Sequence, residues 1–525
     1  MTQSYDAIII GAGHNGLVTA IRLADKGWKV LVLEKSSLPG GASKSYEITE
    51  PGFMHDIYAM NIGLFLGSSF YEKYRGELNR YDVEPVISNK PYASVFPDDT
   101  GIGAYQNRKE MYKSIAYHSS RDTYAWKELN DYFDKTSPYF MPLMQMELPS
   151  VQAGRHAWKV FRQLKMNGVL ELGSHILQSP REFVDHWFEN DKVKAMIVPW
   201  GFHLDFAPDV SNGAVFPFIE SILNQRNGMA FSRGGVQRLI NAMVGMVRAR
   251  EGEVRTEAPV SKVLEKNGKA YGVVLENGEE IHADKAVIGN VTPSQMINRF
   301  LDKETLPAKY VQKAEKYQYG PGTMMIHLSL DAPLQWKAGE EYAEFAYIHI
   351  GPYVDDFART YTQAMSGTLP DSPMLVVGQP DTIDPERSPA GKSTAWIQVR
   401  ALPSHVKKDA LGNIEPSSWN VIKEQYADRV MDKLSEYAPN AKEVIRNRVV
   451  LSPQDLEKDN PNLVGGDSVS GSHHMFQNYM FRPMPGYSRY ETPIDQLYMV
   501  GAATWPGGGL NGTSGWLLAD KLTSK

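Results

Sequence analysis

The chain has 525 residues, a formal net charge of −6, and 42% hydrophobic against 22% charged residues, the profile of a globular chain long enough for more than one domain. The acidic balance and the lack of any basic run argue against nucleic acid as a partner. With no cysteine, disulfides, thiolate metal sites, a cysteine-linked flavin and a redox-active dithiol are all excluded.

The opening Met1-Thr2-Gln3-Ser4 lacks a charged n-region, and no apolar run approaches the roughly 18 residues a spanning helix needs. A cytoplasmic protein is expected, with attachment to a membrane surface left open. Tyr5-Asp6-Ala7-Ile8-Ile9-Ile10 reads as a strand and leads into Gly11-Ala12-Gly13-His14-Asn15-Gly16. A helix follows from about Gly16 to Asp25, with Leu17, Ala20, Ile21 and Ala24 at helical spacing and Gly27 suited to its C-terminal cap. A second strand, Trp28 to Leu33, ends at Glu34. A GxGxxG alone is weak, but strand, helix, second strand and terminal carboxylate supply its full context. Gly11 permits the tight turn, Gly13 lets backbone approach a pyrophosphate, and Gly16 lets helix and strand pack closely. The helix N-terminus then faces the phosphates. Glu34 is placed to accept from a ribose and would repel a 2′-phosphate. A glycine-rich turn that binds nothing is the alternative, and this context argues against it.

A second small-residue loop, Lys35-Ser36-Ser37-Leu38-Pro39-Gly40-Gly41-Ala42-Ser43, follows at once. Dinucleotide-domain character returns at Gly234-Gly235-Val236-Gln237, which opens an amphipathic helix with Leu239, Ile240, Met243 and Val247 inward. Short strands are expected at Val260–Glu265, Ala270–Leu275 and Glu280–Ala283, the last two joined by the hairpin turn Asn277-Gly278. Asp284–Asn290 reads as a separate buried strand ending at a glycine. A third visit comes at Leu497-Tyr498-Met499-Val500, which runs into Gly501-Ala502-Ala503. The remaining stretches are richer in aromatics, Met and Pro, and include strands such as Met324–Leu330. The expected architecture is α/β: a discontinuous Rossmann-type cofactor domain (1–75, 230–300, 480–525) with an α+β substrate domain inserted at 76–229 and 301–479.

YDAIIIGAGHNGLVTAIRLADKGWKVLVLEKSSLPGGAS resembles the N-terminus of the phytoene desaturase-type FAD-dependent oxidoreductases, a group with carotenoid desaturases, ketolases, oxidases and retinol saturases within the amine-oxidase-like flavoproteins. GGVQRLINAM with VSKVLEKNGKAYGVVLENGEEIHADKAVIGNVTP, GQPDTIDPERSPAGKSTAWIQV and LYMVGAATWPGGGLNGTSGWLLA agree in the same order. The resemblance implies FAD, and a single nucleotide fingerprint suits a flavin, where a nicotinamide-linked flavoprotein usually needs two. It places the pyrophosphate on Gly11, Gly13 and Gly16, with His14 and Asn15 in the same loop, and the adenosine ribose on Glu34, beside Lys35. Phosphate and ribitol would meet Gly40, Gly41, Ala42, Ser43, Gly501 and Ala502, and adenine the backbone of Val260. Gly509, Leu510 and Asn511 precede a helix from about Gly512 to Leu522 whose N-terminus would face the flavin's N1–C2=O edge and stabilise the reduced ring. Where carotenoid desaturases carry a GFxFDxGP-like stretch, this chain has Gly52-Phe53-Met54-His55-Asp56-Ile57-Tyr58 without the Gly-Pro, and Trp505 follows Thr504 where several relatives differ.

Hydride transfer to flavin N5 requires a dry, positioned substrate carbon and management of one proton. Loop capping suits His14 and Asn15 better than proton transfer. His55-Asp56 reads as a proton relay or, more simply, as a hydrogen-bonded structural pair. His473 and His474 are candidates for contact with substrate or flavin, against a reading as loop histidines. Trp505, beside Pro506-Gly507-Gly508-Gly509, is a candidate ring flanking the flavin or core packing. No metal site is read around them. Between Gly154 and Gly173, Arg155, Lys159, Arg162 and Lys165 are expected on one helical face and Trp158, Phe161 and Leu164 towards another. That layout suits a membrane surface, or an ordinary solvated helix. The leading expectation is an FAD-dependent oxidoreductase that desaturates or oxidises a lipophilic small molecule, passing electrons to oxygen, a quinone or another carrier. An amine oxidase and a redox-neutral flavin-binding isomerase or binding protein are the alternatives.

Overall fold

In the computed structural model, which describes residues 4–524, strand Ser4–Ile10 lies inside a seven-stranded sheet. It pairs in parallel with Val30–Leu33 on one side and Glu280–Gly289 on the other, setting Ile10 opposite both Leu33 and Gly289. Over Ala7–Ile10, Val30–Leu33 and Ala286–Gly289 both faces are covered, so alternation disappears there. Ile9 and Val32 meet helices His14–Ala24 and Val236–Arg248, while Ile8 and Leu33 meet Val263, Val273 and Ile297. The two stretches expected as separate strands at 280–290 form one, Glu280–Gly289. Its first residues pair antiparallel with Lys269–Leu275 and its last pair in parallel with Leu497–Met499. Asp284 and Lys285 are exposed; they mark where the strand leaves solvent for the sheet interior, and no turn residue interrupts it.

The second sheet also has seven strands, in the order Ile445–Leu451, Gly322–Leu330, Ser393–Leu402, Met374–Gly378, Tyr347–Ile350, Tyr92–Val95 and Gly101–Ala104. Period-two alternation sorts its residues by chemistry. Met324, Ile326, Leu328, Ile397, Val399, Ile348 and Val377 pack beneath helix Trp419–Tyr437 through Ile422, Tyr426, Val430 and Leu434. The opposite face carries the alternate residues of the same strands: His327, Ser329, Trp396, Gln398, Arg400, Tyr347 and His349. That face meets the segment 57–60, where Tyr58 O accepts from Gln398 Nε2 at 3.3 Å and Met60 Sδ from Trp396 Nε1 at 3.3 Å.

Two sets of contacts tie distant parts of the chain together. The C-terminal helix Thr513–Thr523 lies against His14–Ala24 so closely that a Cβ on Gly515 would stand 2.2 Å from Asn15 O. Arg22 stacks over Trp516 at 3.9 Å and pairs with Asp520. The second set is a fully buried ion network. Arg387 donates to Asp56 at 2.7 Å, to Asp384 at 2.6 Å and to Ser232 O at 3.0 Å. Asp56 also accepts from Val236 N at 2.9 Å, at the start of helix Val236–Arg248.

Helix Val151–Leu177 departs from expectation. Lys165 adopts φ 59° and ψ −176°, which divides the helix, so Lys165 does not continue the face of Arg155, Lys159 and Arg162. Of the residues in this helix only Ala153 is buried, and Trp158 is 62% exposed, stacked on Phe161 at 5.7 Å. No helix among the described residues is long and apolar enough to cross a membrane.

Candidate functional site

A cleft of about 1080 Å³ opens at the carboxyl ends of the parallel strands, where helix N-termini and strand ends converge. Gly11, Gly13, His14, Asn15, Glu34, Lys35, Gly40, Gly41, Ala42, Val260, Gly501 and Ala502 line it. The sequence motifs at 11–16, 34–42, 260 and 501–502, separated by hundreds of residues, thus meet in one place.

The walls fit a dinucleotide. Helix His14–Ala24 is N-capped by Gly13, with no side-chain cap and no acidic residue in its first turn, so its positive end is left for an external anion. Gly11 sits at φ +98°, where an L side chain is strained. A Cβ on Gly13 would stand 2.9 Å from Asn290 Nδ2, and one on Gly41 3.4 Å from Gly13 Cα. Asn15 Oδ1 is buried without a partner. The Glu34 carboxylate accepts from Ala12 N and from Ser36 N, each at 2.9 Å. It therefore pins the fingerprint loop to the loop after the second strand while facing the cleft. Replacing it (Glu34→Ala) removes two charge-assisted hydrogen bonds. We expect at least a tenfold weaker hold on FAD, measured as flavin retained through gel filtration; full retention would show that Glu34 has no part in binding.

Gly16 acts by packing rather than by lining the cleft: its Cβ would fall 2.4 Å from Gly11 O. Ser43 is buried beside the loop, its N–H donating to Gly40 O at 3.0 Å. Asn511 Oδ1 accepts from Thr513 N at 2.8 Å and so starts the closing helix, while Leu510 enters the core. His14 is held by Asn15 Nδ2 at 2.9 Å and by the backbone of Gly509, and desolvation lowers its pKa to about 4. As a neutral ring it bridges the fingerprint loop to the closing loop.

None of the four residues singled out for chemistry lines the cleft. His473 is buried, and its Nε2 accepts from Gly508 N at 2.8 Å, so that atom has no lone pair left for a substrate proton. Burial and the nearby Arg482 keep it neutral. His474 is half-buried, with Nε2 2.9 Å from Asp205 O and 3.4 Å from Asp205 Oδ2. Trp505 is buried against Leu148 and Ala153, and its Nε1 donates to Met146 O at 3.0 Å. His55 contacts Thr49 and packs edge-on to His327 at 5.4 Å, behind Asp56 and the Arg387 network.

The cleft also collects residues that the sequence reading did not single out. Lys44 lines it and donates to Asp459 Oδ2 at 3.2 Å, and the same oxygen accepts from Tyr58 O–H at 2.5 Å. Asn462 Nδ2 donates to Asn290 O at 3.2 Å and its Oδ1 accepts from Thr292 N at 3.0 Å. These partners are hundreds of residues apart, so no local spacing signals them. The polar wall of the second sheet did carry a signal, the alternation in Trp396-Ile397-Gln398-Val399-Arg400.

A family model described as flavin-containing amine oxidoreductase matches residues 16–514. A rat protein named pyridine nucleotide-disulfide oxidoreductase domain-containing protein 2 is 25% identical, with 98% of this chain and 92% of that protein covered. A phytoene desaturase (neurosporene-forming) of Rhodobacter capsulatus is 24% identical, covering 98% and 93%. Among solved structures, an oxidoreductase from Methanosarcina mazei superposes with a TM-score of 0.62 at 19% identity over the full length of both chains, a likeness of fold. The disulfide chemistry in the rat protein's name has no counterpart in a chain without cysteine.

Proposed function

This chain belongs to the flavin-containing amine oxidoreductase family, and on that basis we propose that it dehydrogenates a largely apolar substrate held between the FAD cleft and the polar face of the second sheet. The protein is an FAD-dependent oxidoreductase. Bound FAD supplies the two-electron acceptor; the chain supplies the grip, the dry wall and the orientation.

The fingerprint loop and the N-terminus of His14–Ala24 would hold the phosphates, and Glu34 with Val260 the adenosine end. Gly501 and Ala502 would serve the ribitol, and the N-terminus of helix Thr513–Thr523 the ring end. Toward the second sheet, Tyr58, Met60, Trp200, Tyr347 and Trp396 belong to one buried apolar cluster, which would keep water from the substrate's side. Tyr58 O–H, fixed on Asp459, is the hydroxyl placed to hold or pass a proton at the cleft's edge.

The observation that carries the apolar reading is the exposed apolar surface of helix Val151–Leu177, beneath which Tyr132, Phe140, Leu172, Ile176, Phe183 and Phe218 line a narrow apolar crevice. Outside it stand the exposed side chains of Trp158, Phe161, Met166 and Leu170, with Arg155, Lys159 and Arg162 on the same helix segment. Met475, Phe476 and Met480 are exposed on the loop that carries Tyr479, which packs on Trp505. Basic and apolar groups so mixed suit contact with an anionic lipid surface, from which an apolar substrate could be drawn. The phytoene named in the Rhodobacter capsulatus relative is a hydrocarbon of this kind.

Two measurements test the reading. Anaerobic mixing of the FAD-loaded protein with apolar polyenes or long-chain substrates is expected to bleach the flavin; bleaching by amines alone would reverse the assignment. Sedimentation with anionic vesicles is expected to carry the protein down at low salt and to weaken as salt rises; equal binding to neutral vesicles at all salt would remove the electrostatic part.

A further inference from the structure

Helix Val151–Leu177 is less a part of the core than a projection from it, with Ala153 its one buried residue. Both of its arms return to helix Ser120–Phe140. His156 Nε2 lies 2.7 Å from Tyr139 O, and the His175 ring stands 5.1 Å from that of Tyr132. A straight helix would hold the two histidines about 28 Å apart along its axis, against about 10 Å between their partners. The break at Lys165 therefore bends the helix and carries the bend away from the body, where Lys165 and Met166 are exposed. This projection holds Arg155, Lys159, Arg162 and Lys165 against one carboxylate, Glu171, in a chain whose net charge is −6.

A second apolar surface stands on the excursion from Gly471 to Arg482. Met475, Phe476, Met480 and Phe481 are exposed there. The base of the excursion is wired to the FAD cleft. Arg482, fully buried, donates from Nη2 to Ala502 O at 2.6 Å and from Nη1 to Ser472 O at 2.9 Å. His473 Nε2 accepts from Gly508 N at 2.8 Å. Ser470 and Ala502 both line the cleft.

The two surfaces meet at Trp505, midway between Ala502 and Gly508. Trp505 packs with Leu148 and Ala153 at the root of the projection, and Tyr479 of the excursion rests on it with ring centroids 5.4 Å apart. Its Nε1 donates to Met146 O at 3.0 Å. Further along the same segment, the backbone of Gly509 holds His14 of the fingerprint loop.

We infer that an anionic lipid surface, taken up by the projection and the excursion together, sets the 502–509 segment of the flavin site, so that lipid binding regulates the redox centre. The inference rests on the lipid contact proposed above and adds its consequence. Apolar side chains on two supports that share one joint are buried best by a lipid surface in one mutual arrangement. Lipid then favours the position of Trp505 that this arrangement requires. A surface that bound every arrangement alike would shift nothing.

The test titrates the FAD-loaded protein with phosphatidylglycerol vesicles at low salt, reading flavin fluorescence and the fraction sedimented on the same samples. Wild type is expected to sediment and to change its flavin fluorescence at least twofold, with one midpoint for both curves. M475S/F476S, altered only at exposed side chains, is expected to sediment through the projection at saturating vesicle and to lose most of the fluorescence change. K159E/R162E is expected to lose both. Wild type that sediments with its fluorescence unchanged, or M475S/F476S that keeps the full change, would overturn the coupling and leave the lipid contact standing. Wild type that fails to sediment would remove the lipid contact itself, and this inference with it.

Discussion

Gly16→Val protein is expected to purify without flavin. A Cβ at this position falls 2.4 Å from Gly11 O, a backbone atom, and 3.2 Å from Ile9 Cγ2. Neither can turn aside, so the helix must move off the sheet and carry its free N–H groups away from the phosphates. The loss should exceed a hundredfold in FAD affinity, roughly 2.8 kcal/mol. Gly13→Ala makes a graded control. There the obstruction is Asn290 Nδ2 at 2.9 Å, the end of a side chain that can swing, and about a tenfold loss, roughly 1.4 kcal/mol, is expected. Flavin absorbance per protein, set against circular dichroism to establish folding, reads both. A folded Gly16→Val protein that stays yellow would remove the pyrophosphate from this loop.

The second large effect is expected at Arg387. Substituting methionine keeps most of the volume but leaves Asp56 and Asp384 buried without their cation. Removing one partner of a buried ion network costs about 3–5 kcal/mol. The network joins Ser232 and the helix start at Val236 to the strand connection at 384–387, so its failure should loosen the two sheets from each other. A lower Tm and earlier release of FAD on heating are expected. Adding Asp56→Asn and Asp384→Asn should restore part of the Tm, because the uncompensated charges then disappear. An unchanged Tm in Arg387→Met alone would mean that the network carries no such load.

The matching segment 378–399 shows how much a motif conceals. Its residues resembled a family, but their job was invisible: Asp384 and Arg387 form the ion network, while Trp396 and Gln398 point to the opposite side of the cleft. Helix Val151–Leu177 errs the other way, since its periodicity runs on smoothly while the backbone breaks at Lys165. Spacing describes an ideal helix and cannot see such a break.

What the chain determined by itself was whatever rests on neighbours in sequence. The glycines at 11, 13 and 16, the strand and helix around them, Glu34, and the hairpin at Asn277-Gly278 are set by local sterics and hydrogen bonding. The α/β class and a bound dinucleotide follow from those, and the family resemblance made that dinucleotide FAD. Only the tertiary structure decided which distant groups meet. Lys44 reaches Asp459, Asn462 reaches Asn290, and Arg400 reaches Ser468. The reason is that alternation along a strand separates its two faces without showing which of them will meet the cofactor. That choice is made when sheets and helices pack, by contacts with no signature along the chain.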